Sequence, residues 1–419
     1  MKKKLLFLAL ALVMCLGVTI PASADNVSKK GQANIISAGG LHTGVIDING
    51  SLWMWGGNYD GQLGNGGGGN RQNGIGKYQT VPVKVLNNVV SVSSGENHTA
   101  AIKTDGSLWM WGGNYNGQLG NGTKKDSLVP IKVLNNVVSV SSGYDYTAAI
   151  KTDGSLWMWG SNEYGKLGKG ASGDSALPVK VLDNVVSVSS GYNHTAAIKS
   201  DGSLWMWGSN GYGKLGNGGK GNNKVSDGIE LVPIQNVPTK LMDDVATVNC
   251  TLANTAAIKK DGSLWMWGSN FSGQLGNGDF GKFENYKTLP LKVMDNVAYV
   301  SGGNEFTAAI KTDGSLWMWG SNATGELGNG YGGNEKLNDG HDGAYSVQTV
   351  PAKLMNGVAT ISCGNLYSII VQTDGSIWVF GRNSTGELGN AGQKNKMDIY
   401  GSAMQTTPMK LSSVKAKLK

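Results

Sequence analysis

Residues Asp153-Gly154-Ser155-Leu156-Trp157-Met158-Trp159-Gly160 decide the fold. Asp-Gly between two apolar runs is a strong hairpin signal. In the strand that follows, Trp157 and Trp159 point one way while Leu156 and Met158 point the other. Both faces are apolar, so this strand lies between two layers. The string Ser-Leu-Trp-Met-Trp-Gly occurs six times, from Ser51, Ser107, Ser155, Ser203, Ser263 and Ser315, and a seventh copy reads Ser376-Ile377-Trp378-Val379-Phe380-Gly381. The copies hold all 13 Trp of the 419-residue chain. Self-similarity at such a period means a propeller, solenoid or array, and it displaces the two or three ordinary domains that length alone suggests.

Working outward, Pro82, Pro130, Pro178, Pro238, Pro290 and Pro351 each sit 23 residues before the next Asp-Gly. From Asp-Gly, or Asn49-Gly50 in the first copy, to the next proline of the series, Pro408 included, the distance varies from 25 to 38. One connection therefore absorbs every insertion. The constant part reads as four strands: Pro130–Leu134, Val137–Ser142, Tyr146–Thr152 and Ser155–Gly160, joined by Asn135-Asn136, Gly143-Tyr144-Asp145 and Asp153-Gly154. Four strands joined by tight turns form one antiparallel blade. The expected fold is all-β, a seven-bladed β-propeller of four-stranded antiparallel blades spanning 33–411. The first blade lacks a proline strand and Pro408–Leu411 supplies one without a blade, so pairing of the two ends is expected to close the ring between N- and C-terminal strands. Lys two residues after each proline of the series suits protection of a sheet edge.

Lys2-Lys3-Lys4, the apolar run Leu5–Ile20 and Ala22-Ser23-Ala24 read as a secretory signal peptide over 1–24, with cleavage expected after Ala24; the rival reading is an uncleaved membrane anchor, for which sixteen apolar residues are short. Residues 25–32 are a short tether and 412–419 a basic tail. The expected product is secreted or extracytoplasmic, with no stable membrane insertion after cleavage. Loss of the three leader lysines lowers the net charge from +7 to +4. With charged residues at only 16%, this argues against a nucleic-acid partner. Cys15 leaves with the leader. Cys250 and Cys363 share one register two blades apart, beyond the ~7 Å Cα reach of a disulfide, and are expected as free, buried thiols.

The motif Ser190-Gly191-Tyr192-Asn193-His194-Thr195, Asp201-Gly202-Ser203-Leu204-Trp205-Met206-Trp207-Gly208-Ser209-Asn210, Gly213-Lys214-Leu215-Gly216 resembles the regulator of chromosome condensation repeat. The resemblance covers 33–411 and implies a closed seven-bladed propeller. That family includes a secreted bacterial branch similar to β-lactamase-inhibitor protein II, which implies inhibition of a β-lactamase or penicillin-binding-type enzyme as one reading. The scaffold alone does not fix the function.

Turns in a meander alternate between two ends, so Asn-Asn and Asp-Gly turns share one face while Gly-x-x turns and variable crossovers share the other. The long crossovers Gly66–Val81, Gly218–Val237, Gly330–Val350 and Asn390–Thr407 form a rim there. Variable loops on a rigid scaffold are where binding resides, and aromatic side chains typify protein recognition. The candidate partner-binding residues are Tyr59, Tyr115, Tyr164, Tyr212 and Phe271 after the Trp strand, and Tyr144, Tyr146, Tyr192, Phe306 and Tyr367 at the Gly-x-x turns. No catalytic constellation is visible, so an enzyme is not expected. His42, His98 and His194 repeat one register and point to separate places, so no metal site is expected and no cofactor is implied. Asp339-Gly340-His341-Asp342-Gly343 lacks the spaced acids of a calcium loop. The expected function is a non-catalytic binding protein with a protein partner of unknown identity. Carbohydrate binding, or action on a polymer, is the alternative, because Tyr rings stack on sugars too.

Overall fold

A computed structural model describes residues 34–412 except 75, 227–230, 283, 339–343, 392–395 and 398–402. The leader, the tether, Asp339–Gly343 and the tail beyond Ser412 lie outside the described residues. Seven antiparallel sheets follow one another along the chain. In the third, Val137–Ser142, Tyr146–Lys151, Leu156–Gly160 and Ser175–Leu182 pair in chain order.

That order corrects the phase expected from sequence. Each proline strand pairs with the Trp strand before it, as Trp157 with Lys180 shows. It is the fourth strand of the preceding blade. The Asn-Asn turn is thus the link between blades, with Asn136 in the left-handed region at φ 59°. It lies against two Asp-Gly turns: Val137 N–H donates to Gly106 O at 2.9 Å and Thr152 N–H to Asn136 O at 2.8 Å. The variable segment is an enlarged hairpin within a blade. In the first, fourth, sixth and seventh blades it adds a short fifth strand, at Arg71–Gln72, Asn223–Ser226, Glu335–Leu337 and Lys396–Met397. These are the four long crossovers expected to form the rim.

The first strands of the blades surround the axis, and hydrogen bonds between them make a closed circuit. The N–H of the last residue donates to the penultimate side chain of the preceding blade. Ser94 donates to Ser37 Oγ, Ser142 to Ser93 Oγ, Ser190 to Ser141 Oγ and Cys250 to Ser189 Oγ, all at 2.8–2.9 Å. Gly302 donates to Asn249 Oδ1, Cys363 to Ser301 Oγ, and Ala38 to Ser362 Oγ, which returns to the start.

The core is divided among seven seams. At one of them Ala100, Ile102, Leu108 and Met110 of the second blade meet Val137, Val140, Ala149 and Trp159 of the third. Leu156 and Met158 serve the next seam, so the Trp strand does bury both faces. Trp55, Trp111, Trp159, Trp207, Trp267 and Trp319 are fully buried, each worth about 4–6 kcal/mol of gross transfer free energy. Their indole N–H groups need partners. Trp159 Nε1 donates to Gln118 O of the preceding blade at 2.8 Å, and Thr147 Oγ1 donates to the same carbonyl at 2.9 Å.

Closure differs from the expected pairing of the end strands. Ala403–Lys410 pairs with Ile377–Arg382 of its own blade, and Ile36–Ala38 with His42–Ile46. The first and last blades meet as any two neighbours do. Ile36, Val45 and Trp55 pack on Tyr367, Ile369, Val379 and Leu388. Cys250 and Cys363 are free and buried, as expected, and Gly302 of the intervening blade separates their registers.

Candidate partner-binding face

The re-phased blade keeps the parity of its turns. The Gly-x-x turns and variable hairpins still share one face. At its centre all seven Gly-x-x turns, or their equivalents, line a cavity of about 310 Å3, which takes in Glu96, Tyr144, Tyr192, Leu252, Asn304 and Asn365. Glycine opens most of these turns because the first residue of the next strand lies directly beneath. A Cβ on Gly143 would stand 2.4 Å from the Tyr146 ring, and one on Gly303 2.1 Å from Phe306.

The ten candidate residues divide into two groups. Tyr146, Phe306 and Tyr367 are fully buried between blades and are not on the face. The Tyr146 hydroxyl donates to His194 O at 2.7 Å, and that of Tyr367 to His42 O at 2.7 Å. They share the register of His42, His98 and His194, which are equally buried. Strand alternation at that shared register carries the signal that these rings face inward.

The other seven lie on the face. Tyr144 and Tyr192, from neighbouring turns, pack as a tilted pair, ring centroids 4.0 Å apart and planes at 44°, at the cavity mouth. Tyr115 is 82% exposed and Tyr212 51%. Tyr212 also meets Tyr286 edge-on at 6.2 Å. Tyr59, half-buried, accepts a hydrogen bond from Asn73 Nδ2 at 3.2 Å. Tyr164 and Phe271 are half-buried in equivalent hairpins. Tyr164 and Tyr212 hold left-handed backbone, at φ 60° and 58°, an arrangement that costs energy for a bulky residue.

Sequence reasoning missed the charged groups on the face and buried beneath it. Glu96 accepts from Asn365 Nδ2 at 3.1 Å across the cavity, and burial pushes its carboxyl above the ordinary range. Buried Lys166 pairs with Asp145 at 2.6 Å. Lys214 is buried at the equivalent place. Alignment of the Gly-x-Leu-Gly segments would have exposed both, since Lys replaces Gln or Glu only there. The histidines do no surface chemistry. Burial lowers His42 and His98 to about 3, so the rings are neutral. His42 Nε2 lies 2.9 Å from Thr99 Oγ1. That hydroxyl gives its proton to Gln62 O, which makes Nε2–H the donor. Among the described residues, no three His, Cys, Asp or Glu side chains come together as metal ligands.

Comparison with known proteins agrees with this geometry. A family model described as RCC1-like domain matches residues 13–330, and a model of the regulator of chromosome condensation repeat matches 313–371. The mitochondrial RCC1 domain-containing protein RUG3 of Arabidopsis thaliana is 32% identical over 174 residues, 40% of this chain and 37% of that protein. The protein RCC2 homolog of Xenopus laevis is 30% identical over 149 residues, 35% of this chain and 26% of the relative. The chain thus spans well under half the length of these curated relatives. Prp20p of Saccharomyces cerevisiae superposes with a TM-score of 0.71 at 19% identity, over 94% of this chain and 90% of that one.

Proposed function

The chain belongs to the RCC1-like domain family, and from that premise we propose that it is an exported, non-catalytic protein that binds a protein partner through its loop-bearing face. The observation that carries this reading is the tilted Tyr144–Tyr192 pair at the mouth of the axial cavity. Exposed and half-exposed aromatic rings continue outward from it on five consecutive blades, at Tyr59, Tyr115, Tyr164, Tyr212 and Phe271. Such rings offer large contact area at small entropic cost. The opposite face carries short, near-identical turns and offers no comparable variation. The yeast relative Prp20p is described as binding Gsp1p and histones, a property of that protein which supports the class of partner. Export rests on the leader sequence. Inhibition of a β-lactamase or penicillin-binding-type enzyme is the sharper form of the proposal and rests on resemblance alone.

The test is capture of proteins from the producing cells' envelope and medium, with wild type and with Tyr144→Ala/Tyr192→Ala. A protein retained by wild type and lost by the double variant supports the reading. Equal capture by both removes the aromatic face from the binding surface, and turnover of labelled glycans without captured protein would favour an enzyme.

A further inference from the structure

The third face-forming hairpin and the fourth each place a lysine where the others place an acid or amide. Gln62, Gln118, Gln274, Glu326 and Glu387 turn their side-chain oxygens back onto the N–H two residues earlier, at 2.7–2.9 Å. Lysine has no acceptor for that bond. Lys166 finds another solution, donating to Asp145 and, at 3.1 Å, to Asn193 Oδ1. Asp145 and Asn193 are the third residues of two successive Gly-x-x turns. For Lys214, one blade on, the cognate residues are Asn193, whose oxygen already serves Lys166, and Ala253, whose methyl accepts nothing.

Lys214 is 6% exposed, and among the described residues its side-chain amine makes no hydrogen bond or ion pair. It is anchored, because its carbonyl accepts from Thr255 Oγ1 at 2.8 Å and from Trp267 Nε1 at 2.9 Å. Burial, then the charge of Lys166, lowers its amine to about 8, so it is mostly cationic at neutral pH. A buried, uncompensated charge is destabilising. Glutamine at this place in three sister blades shows that the fold does not need it.

We propose that Lys214 is a carboxylate-receiving position, taking an Asp or Glu side chain of the protein partner. The proposal rests on the reading of this face as a protein-binding one. Of the two buried lysines, Lys166 is already neutralised by Asp145, so Lys214 alone offers one positive charge, which matches one carboxylate better than a phosphate dianion. The adjoining turns carry Tyr192 and Leu252 to the cavity mouth, which supplies apolar contact for the segment bearing the acid.

The test uses the full mature chain and blocked amino acids in place of the unidentified partner. Lysines are acylated at pH 8 with an N-hydroxysuccinimide ester and quantified by peptide mass spectrometry, at fixed ionic strength. Ac-Asp-NH2 is expected to slow Lys214 modification at least threefold, at lower concentration than acetate, and Ac-Asn-NH2 to leave it unchanged. In Asn193→Asp, which supplies a carboxylate from within, Lys214 is expected to lose the response to Ac-Asp-NH2 and the protein to melt higher. Equal protection by Ac-Asn-NH2 or acetate overturns the proposal. So does a Lys214 that never reacts while surface lysines do, or an Asn193→Asp protein that still responds. Lys214→Gln checks peptide assignment and folding. Partner capture is read separately, so an empty capture with a responsive Lys214 would sink the protein-binding reading and leave the carboxylate site standing.

Discussion

Trp55 Nε1 donates to the backbone carbonyl of Glu387, 332 residues away, at 2.7 Å. Thr43 Oγ1 shares that carbonyl at 2.9 Å. The same two-donor clamp joins the second blade to the third through Gln118 and the third to the fourth through Lys166. At those seams a peptide link also joins the blades. Between first and last no peptide link joins the described strands, so non-covalent contacts hold the ring shut there: the clamp, the apolar seam, the circuit of inner-strand hydrogen bonds, the Tyr367 hydroxyl on His42 O and Ala391 N–H on Thr80 O.

Trp55→Phe tests this. Phe380 already occupies the equivalent place in the seventh blade, so the ring fits and only the bond and part of the packing are lost. The expected cost is about 2 kcal/mol. Hydrogen exchange should accelerate in Ile36–Ile46 and Tyr367–Arg382 more than Trp207→Phe accelerates it at its own seam. Equal effects at the two seams would show that closure is no weaker point than any other.

Gly303→Ala is expected to destabilise by more than 2 kcal/mol, because the new methyl would stand 2.1 Å from the Phe306 ring with Gly364 O also at 2.7 Å. Gly74→Ala, with open space around it and no positive φ, is the control and should fall within about 0.5 kcal/mol of wild type. Urea unfolding of the two variants measures the gap. Similar stabilities would mean that the turn yields easily and that its glycine is not a packing requirement.

The blade count, the strands and the double burial of Leu156-Trp157-Met158-Trp159 were all legible, because a constant spacing and period-two alternation are written directly in the chain. The phase was not. Asn135-Asn136 and Asp153-Gly154 are both two-residue turns, and only pairing, Trp157 with Lys180, reveals that the first links unpaired strands. A segment of variable length reads as the join between units, yet here it is a hairpin whose tip lies outside the sheet and tolerates inserts. The face followed from parity, which no shift of phase alters. Tyr146 and Tyr367 were misread because a residue beside a turn is near the surface in sequence but, one position into the strand, points into a seam.

Cys250 and Cys363 give a direct check on that register. Burial pushes both thiols up to about 12, so neither offers thiolate at neutral pH. Native protein lacking residues 1–24 should show no reaction with a chromogenic disulfide reagent, and two thiols should appear after denaturation. Release of both only after reduction would require a disulfide across an intervening blade and would refute the blade order.

Acid should open the seams before it unfolds isolated strands. His42 and His98 are buried neutral with values lowered to about 3, and His194 is held well below the ordinary histidine range, each chiefly by burial. An unfolded histidine titrates near 6.5, so below that pH the unfolded chain takes up protons the folded chain refuses. Stability is full above about pH 6.5 and falls as pH drops toward 3, by about 1.4 kcal/mol per pH unit for each histidine. Glu326 works against this. Its carboxyl is raised to about 7 by burial, so its contribution is full below about 4.5 and is lost as pH rises to 7. His98→Phe isolates one histidine, with Phe306 as the internal precedent for the ring at that register. Between pH 6.5 and 4.5 the variant should lose about 1.4 kcal/mol less per unit than wild type in urea unfolding. Parallel curves would show that His98 is protonated within the fold, and the seam would then have to contain water or a counter-ion beside Nδ1.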